Sequence, residues 1–168
     1  MSLDKKVVII YRNYKEKYDE NKILKIKNFC KSIKKKFFLA NDIKLTIKLN
    51  LDGAYIPSFN KNISVSSLKN RNIILIGSAH NLREINEKKK QCMDLIVLSP
   101  VFKVSKTKHF LGVVHFNILA KQTKIPKIAL GGINSKNIKR LNMLNCTGFA
   151  SISYLKRSGN MVRNFTKW

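Results

Sequence analysis

Short apolar, β-branched runs recur along this chain, and helical patterns separate most of them. Residues 7–11, 37–40, 53–56, 73–76, 95–98, 128–130 and 149–152 read as strands. Each run is apolar almost throughout rather than alternating, as befits strands covered on both faces. Between the first two, Ile23, Ile26, Cys30 and Ile33 fall at helical spacing. A short helix is predicted over 45–49. Asn81-Leu-Arg-Glu84 has the spacing of a capping box and opens a helix with Leu82, Ile85 and Cys92 on one side. Further helices are predicted over 113–121 and after Ser135, which is placed to cap a helix holding Ile138 and Leu141 inside. Strands that alternate with helices build a parallel sheet from βα units. A flavodoxin-like open sheet needs only five strands. About seven fit a (β/α)8 TIM barrel better, one βα unit short.

A chain of 168 residues suffices for one domain with a sizeable core and is too short for two. Residues 1–168 are therefore expected to form a single TIM-barrel-like domain. A hydrophobic share of 44% excludes a disordered tail. No run of about 18 apolar residues is present to span a membrane, and the N-terminus lacks the pattern of a secretory signal. The expectation is a soluble, cytoplasmic protein.

The net charge of +25 points first to nucleic acid. Of the 34 basic residues, however, 28 are Lys and six are Arg, whereas base readout and phosphate forks favour Arg. The lysines are spread out, with short clusters at Lys34-Lys35-Lys36 and Lys88-Lys89-Lys90. The charge reads chiefly as a solvated surface that attracts anionic substrates, and a basic nucleic-acid binder ranks last of three readings. Cys30, Cys92 and Cys146 have no zinc-ligand spacing and read as buried free thiols.

Polar residues and glycines gather after the strands, where parallel α/β folds carry their sites. Gly131-Gly132 suits a phosphate approaching backbone N–H groups, and a tight turn explains the pair equally well. Ser105, Thr107 and Lys108 form a hydroxyl-rich cationic loop that can grip a pyrophosphate or lie solvated. Lys106 belongs to the same loop. Asp42 is placed to hold Mg²⁺ or to cap the next helix. His80, beside Ser78, suits general acid–base work or the orientation of a neighbour. His109 and His115 read as structural or exposed.

Taken jointly, Arg12, Asn41-Asp42, Gly53-Ala-Tyr-Ile56, Ser78-Ala-His80, Ser99-Pro-Val-Phe102, Ser105-x-Thr-Lys108, Gly131-Gly-Ile133 and Gly148-x-Ala-x-Ile-Ser153 resemble the thiamine-phosphate synthase family, with its TenI-type thiazole tautomerase relatives. Leu98-Ser-Pro-Val-Phe102 and Ala129-Leu-Gly-Gly-Ile133 resemble a divergent α-proteobacterial branch. The resemblance implies a TIM barrel that joins hydroxymethylpyrimidine pyrophosphate to thiazole phosphate, releasing pyrophosphate with Mg²⁺. It implies that Arg12 and Asn41 contact the pyrophosphate, that Asp42 ligates metal, and that Ser78, Ser105, Thr107 and Lys108 bind or steady the leaving pyrophosphate. Gly131 and Gly132, with Ile152 and Ser153, would hold the thiazole phosphate, and His80 matches the histidine that moves a proton in the tautomerase. The partners expected are small-molecule phosphates, without membrane or nucleic acid, and a homo-oligomer is compatible. Departures fall on Ile10 and Tyr14 for a Gln and a Lys, Ala79 for a Thr, Tyr55 for a His, and Asn60 for the second metal-binding Asp. The family's first strand and helix have no counterpart before Val7, so a trimmed or late-started N-terminus is expected.

Overall fold

The computed structural model describes residues 7–105 and 107–151. Seven strands line up in chain order: β1 (Val8–Tyr11), β2 (Lys36–Ala40), β3 (Gly53–Ile56), β4 (Ile74–Ala79), β5 (Leu95–Leu98), β6 (Lys127–Leu130) and β7 (Gly148–Ala150). Every neighbouring pair is parallel, with Ile10 beside Phe38, Tyr55 beside Ile76, and Ser78 beside Val97. Between the strands lie α1 (Glu20–Ser32), α2 (Ile43–Lys48), α3 (Leu82–Lys90) and α4 (Gly112–Lys121). Two connections are 3₁₀ helices, Ile63–Arg71 and Ile138–Met143. The result is a curled, TIM-barrel-like sheet short of one unit. Among the described residues, β1 and β7 form its two edges.

The apolar residues divide by face. Phe38, Ala40, Tyr55, Ile76 and Val97 pack inside the curl. On the outer face Leu75, Ile96, Leu98 and Ala129 pack with Ile85, Phe116 and Ala120 of the helices, and Ile23 and Cys30 of α1 cover Phe37 and Leu39. Each fully buried Leu, Ile or Phe contributes about 1.5–3 kcal/mol relative to exposure. Strands covered twice have no polar face, which is why they stand out in the sequence as short apolar runs.

Several expectations change. The helix expected over 45–49 starts two residues earlier, at Ile43, because Asp42 caps it. The strand expected over 73–76 runs on to Ala79. Ser135 caps nothing: Asn137 stands before a 3₁₀ helix that begins only at Ile138. Cys92 is exposed, just beyond the end of α3 at a φ of 55°, and Leu82 is also exposed. Of the three cysteines only Cys30 is fully buried. The lysines are not all solvated, since Lys35, Lys88 and Lys127 are buried. Among the described residues, no helix is long and apolar enough to cross a membrane.

Candidate active site at the carboxyl ends of the strands

Because all seven strands run one way, their carboxyl ends share a rim, and the loops leaving it carry most of the candidate residues. Arg12 follows β1. It is exposed, and its guanidinium carbon lies 5.6 Å from the centroid of the Tyr14 ring. Tyr14 in turn meets Phe59 edge to face, with centroids 5.4 Å apart. Burial and the neighbouring Tyr55 push the Tyr14 hydroxyl up to about 12, against the pull of Arg12. Tyr14 therefore stays a neutral phenol near pH 7. Phe59 was not legible as part of the site, because it sits alone in a polar loop with no periodicity.

Asn41 follows β2 in the left-handed region, at a φ of 59°, a conformation Asn tolerates. Its N–H donates to the Tyr55 carbonyl at 2.9 Å, and its Oδ1 accepts from the Asn60 amide at 2.7 Å. Asp42 accepts from the Leu45 N–H at 2.9 Å, so the helix-cap role of this carboxylate is realised. A hard divalent cation needs several oxygen ligands, carboxylates foremost. Here one oxygen of Asp42 is engaged by the cap, and Asn60 is a neutral amide bonded to Asn41. Among the described residues, no three His, Cys, Asp or Glu side chains cluster to hold a metal. This donor set does not fit a magnesium ion held by paired carboxylates.

Ser78 lies within β4, 4% exposed, and strand alternation puts it on the inner face with Ile74 and Ile76. His80 comes just after the strand. Its N–H donates to the Glu84 carboxylate at 2.7 Å, while the Asn81 side chain accepts from the Glu84 N–H at 2.9 Å. The capping-box spacing thus produces a real cap, with the glutamate reaching back to the residue that enters the site. The His80 Nδ1 lies 2.5 Å from the Ser99 carbonyl oxygen and 3.3 Å from the Ser99 hydroxyl. A carbonyl only accepts, so Nδ1 carries the hydrogen in the neutral ring and Nε2 is left as the basic nitrogen.

After β5 the chain passes through a cis Ser99-Pro100 bond and packs back on β6. The N–H groups of Val101 and Phe102 donate to the Leu130 and Gly131 carbonyls at 2.9 and 3.1 Å. Val104 then bridges to Thr107, which turns the loop tightly and leaves Ser105 exposed. The Thr107 hydroxyl accepts from the His109 N–H at 3.1 Å, and Lys108 is exposed beside it. Ser105, Thr107 and Lys108 therefore share one short turn, as the spacing implied. Lys106 lies outside the described residues. His109 and His115 are exposed, as expected.

Gly131 and Gly132 follow β6 at φ values of 100° and 70°. A Cβ on Gly132 would stand 2.6 Å from the Phe102 and Lys103 carbonyl oxygens, and one on Gly131 2.8 Å from the Pro100 Cβ. Close approach of the β5 loop thus requires both glycines, whatever binds there. The Gly132 carbonyl accepts from the side-chain amides of Asn134 and Asn137 at 3.1 and 2.8 Å. Ile152 and Ser153 lie outside the described residues.

Known proteins resemble this chain in sequence and in fold. The family model described as thiamine monophosphate synthase matches residues 3–155. A thiamine-phosphate synthase of Prochlorococcus marinus is 30% identical over 158 residues, covering 90% of this chain and 45% of that protein. This chain thus spans less than half of that relative's length. A thiamine-phosphate synthase of Pelagibacter ubique is 29% identical over 157 residues, covering 89% of this chain and 74% of that protein. Among solved structures, a thiamine phosphate pyrophosphorylase from Pyrococcus furiosus superposes with a TM-score of 0.68 at 20% identity, over 85% of this chain and 69% of that one. That superposition shows a shared fold. The family match reaches further, because it takes in all seven strands and the loops on their common rim: the chain belongs to the thiamine monophosphate synthase family.

Proposed function

We propose that this chain joins hydroxymethylpyrimidine pyrophosphate to thiazole phosphate, forming thiamine phosphate and releasing pyrophosphate. The observation that carries this reading is the family match over residues 3–155, together with Arg12, Asn41, Lys108 and Gly131-Gly132 following β1, β2, β5 and β6 onto one rim. The chemistry asks little of a nucleophilic side chain. It asks for cations and hydrogen-bond donors where pyrophosphate departs, and Arg12, Ser105, Thr107 and Lys108 supply them. The pyrophosphate belongs to the Arg12–Asn41 side, and the thiazole phosphate belongs beside Gly131 and Gly132. Of the magnesium ligands that the family resemblance implies, this chain keeps only Asp42, so the reading depends on no resident ion. Incubation with both substrates, with and without added Mg²⁺, tests it. Thiamine phosphate formation is expected, and none at high protein concentration overturns it.

One observation favours a second reading, a thiazole tautomerase or thiazole-phosphate binder. Asp42 is tied into a cap and Asn60 into an amide pair, whereas His80 is oriented by Ser99 with its Nε2 available. This reading expects thiazole phosphate to bind equally well in EDTA. Binding lost on chelation overturns it.

A further inference from the structure

Beneath the rim, on the β3 side, α3 sends a lysine into the interior. Lys88 has no exposed surface. Among the described residues the ion pairs are Lys48–Glu20, Lys69–Asp94 and Lys90–Glu87, so Lys88 takes part in none. Its ammonium instead meets three oxygens: the Pro57 carbonyl at 2.8 Å, the Asn60 carbonyl at 2.9 Å and the Gln91 Oε1 at 2.8 Å. Gln91, equally buried, turns its amide to the same loop and donates to the Asn60 and Asn62 carbonyls at 2.9 and 3.0 Å. Four hydrogen bonds from two buried side chains thus end on one short stretch, residues 57–62. That stretch leads from β3 to the first 3₁₀ helix and presents Phe59 to Tyr14 and Asn60 to Asn41.

An ammonium withdrawn from water is costly to bury, and most costly when its three N–H groups are left unsatisfied. Here all three are met by oxygens. The surroundings also fit the side chain. A Cβ on Gly77 of β4 would stand 2.8 Å from the Lys88 Cδ, so the stem crosses the sheet where a glycine leaves room. A hydrophobic side chain of equal length would fill that groove but leave the loop carbonyls without donors, which is the costly way to break a buried polar network.

We propose that Lys88 and Gln91 are positioning residues for the pyrophosphate side of the site, holding the 57–62 loop so that Asn60 and Phe59 complete the rim beside Asn41 and Tyr14. The assignment of pyrophosphate to this side rests on the proposed function; the holding of the loop does not. Neither residue touches the rim itself, and both act through the loop backbone.

The test compares wild-type protein with K88M and Q91L by hydrogen exchange and by calorimetric titration with inorganic pyrophosphate and, separately, thiazole phosphate. In K88M, exchange of the 58–62 amides is expected to rise about tenfold, and the Kd for pyrophosphate to rise by about as much. The Kd for thiazole phosphate, bound beyond β6, is expected to change by less than about twofold. Q91L is expected to fall between wild type and K88M on the first two measures. Unchanged loop exchange overturns the proposal, and so does equal weakening of both ligands, which marks a general loss of structure. If K88M does not fold, Q91L decides, and unchanged loop exchange in it overturns the proposal. Wild-type protein that binds neither ligand overturns the proposed function. Faster loop exchange in K88M then still upholds the holding of the loop, and unchanged exchange overturns it.

Discussion

At the scale of the residue, His80 is defined by the oxygen behind it. With Nδ1 bound to the Ser99 carbonyl, only Nε2 can accept a proton from a ligand. If the tautomerase reading holds, His80→Ala should abolish exchange of the thiazole proton while leaving the thiazole-phosphate Kd within about twofold. Exchange followed by NMR in deuterated buffer checks this, and unchanged exchange rules His80 out as the base. Lys88 gives a pH signature. Burial lowers its pKa to about 8, against the raising influence of Glu84 and Glu87 on its own helix. Its value in the unfolded chain is the ordinary 10.5, so between about 8 and 10.5 the unfolded state holds the proton more tightly and this linkage makes stability rise with pH. Urea unfolding at pH 7.5 and 9.5 should therefore show wild type gaining on K88M at the higher pH. Lys88 was hidden in the sequence because it opens a Lys-Lys-Lys run, which reads as solvent-facing charge. Its spacing of three from Ile85 was the available sign that it shares the buried face.

At the scale of the element, caps and loops decide what each strand end presents. Asp42 is the informative case, because cap and metal ligand make different demands. Asn caps a helix about as well as Asp, whereas Ala costs about 1 kcal/mol. Asp42→Asn should therefore melt near the wild type and Asp42→Ala lower. Any loss of turnover or of pyrophosphate affinity shared by both variants then reports on the charge itself. The strands were legible because double coverage makes them apolar throughout, and α3 because Asn81 and Glu84 announce its start. The 3₁₀ helix Ile63–Arg71 was not, since only Val65 and Leu68 turn inward, Ile63 is exposed, and the rest is Ser, Asn, Lys and Arg. Ser135 misled for a related reason. The Asn137 side chain accepts from the Asn134 N–H at 2.9 Å, forming a turn where a helical cap was expected. At the site, position just after a strand singled out His80, Asn41 and the glycines as candidates. The loop that completes the rim has no periodicity to read.

At the scale of the whole molecule, +25 on 168 residues is a self-repelling surface, offset among the described residues by three exposed or part-exposed ion pairs. Screening should relieve it. The melting temperature is expected to rise between about 10 and 300 mM NaCl, while association with pyrophosphate slows over the same range. Thermal melts and stopped-flow binding check the two halves, and a melting temperature that falls over this range rejects the repulsion argument.

The two edges that β1 and β7 form among the described residues have a further consequence. In a closed barrel, strand number and stagger fix the circumference, and side chains fill whatever bore results. The seven described strands do not close on one another, so the curvature of this part of the sheet follows from the volumes packed inside it. For the described residues these are Phe38, Tyr55, Ile76 and Val97 between the two edges. The span between the Arg12 end and the Gly132 end of the rim is then adjustable, set by a handful of interior methyl groups and rings. A substitution deep in the bore, touching no ligand, would retune the distance between two bound phosphates.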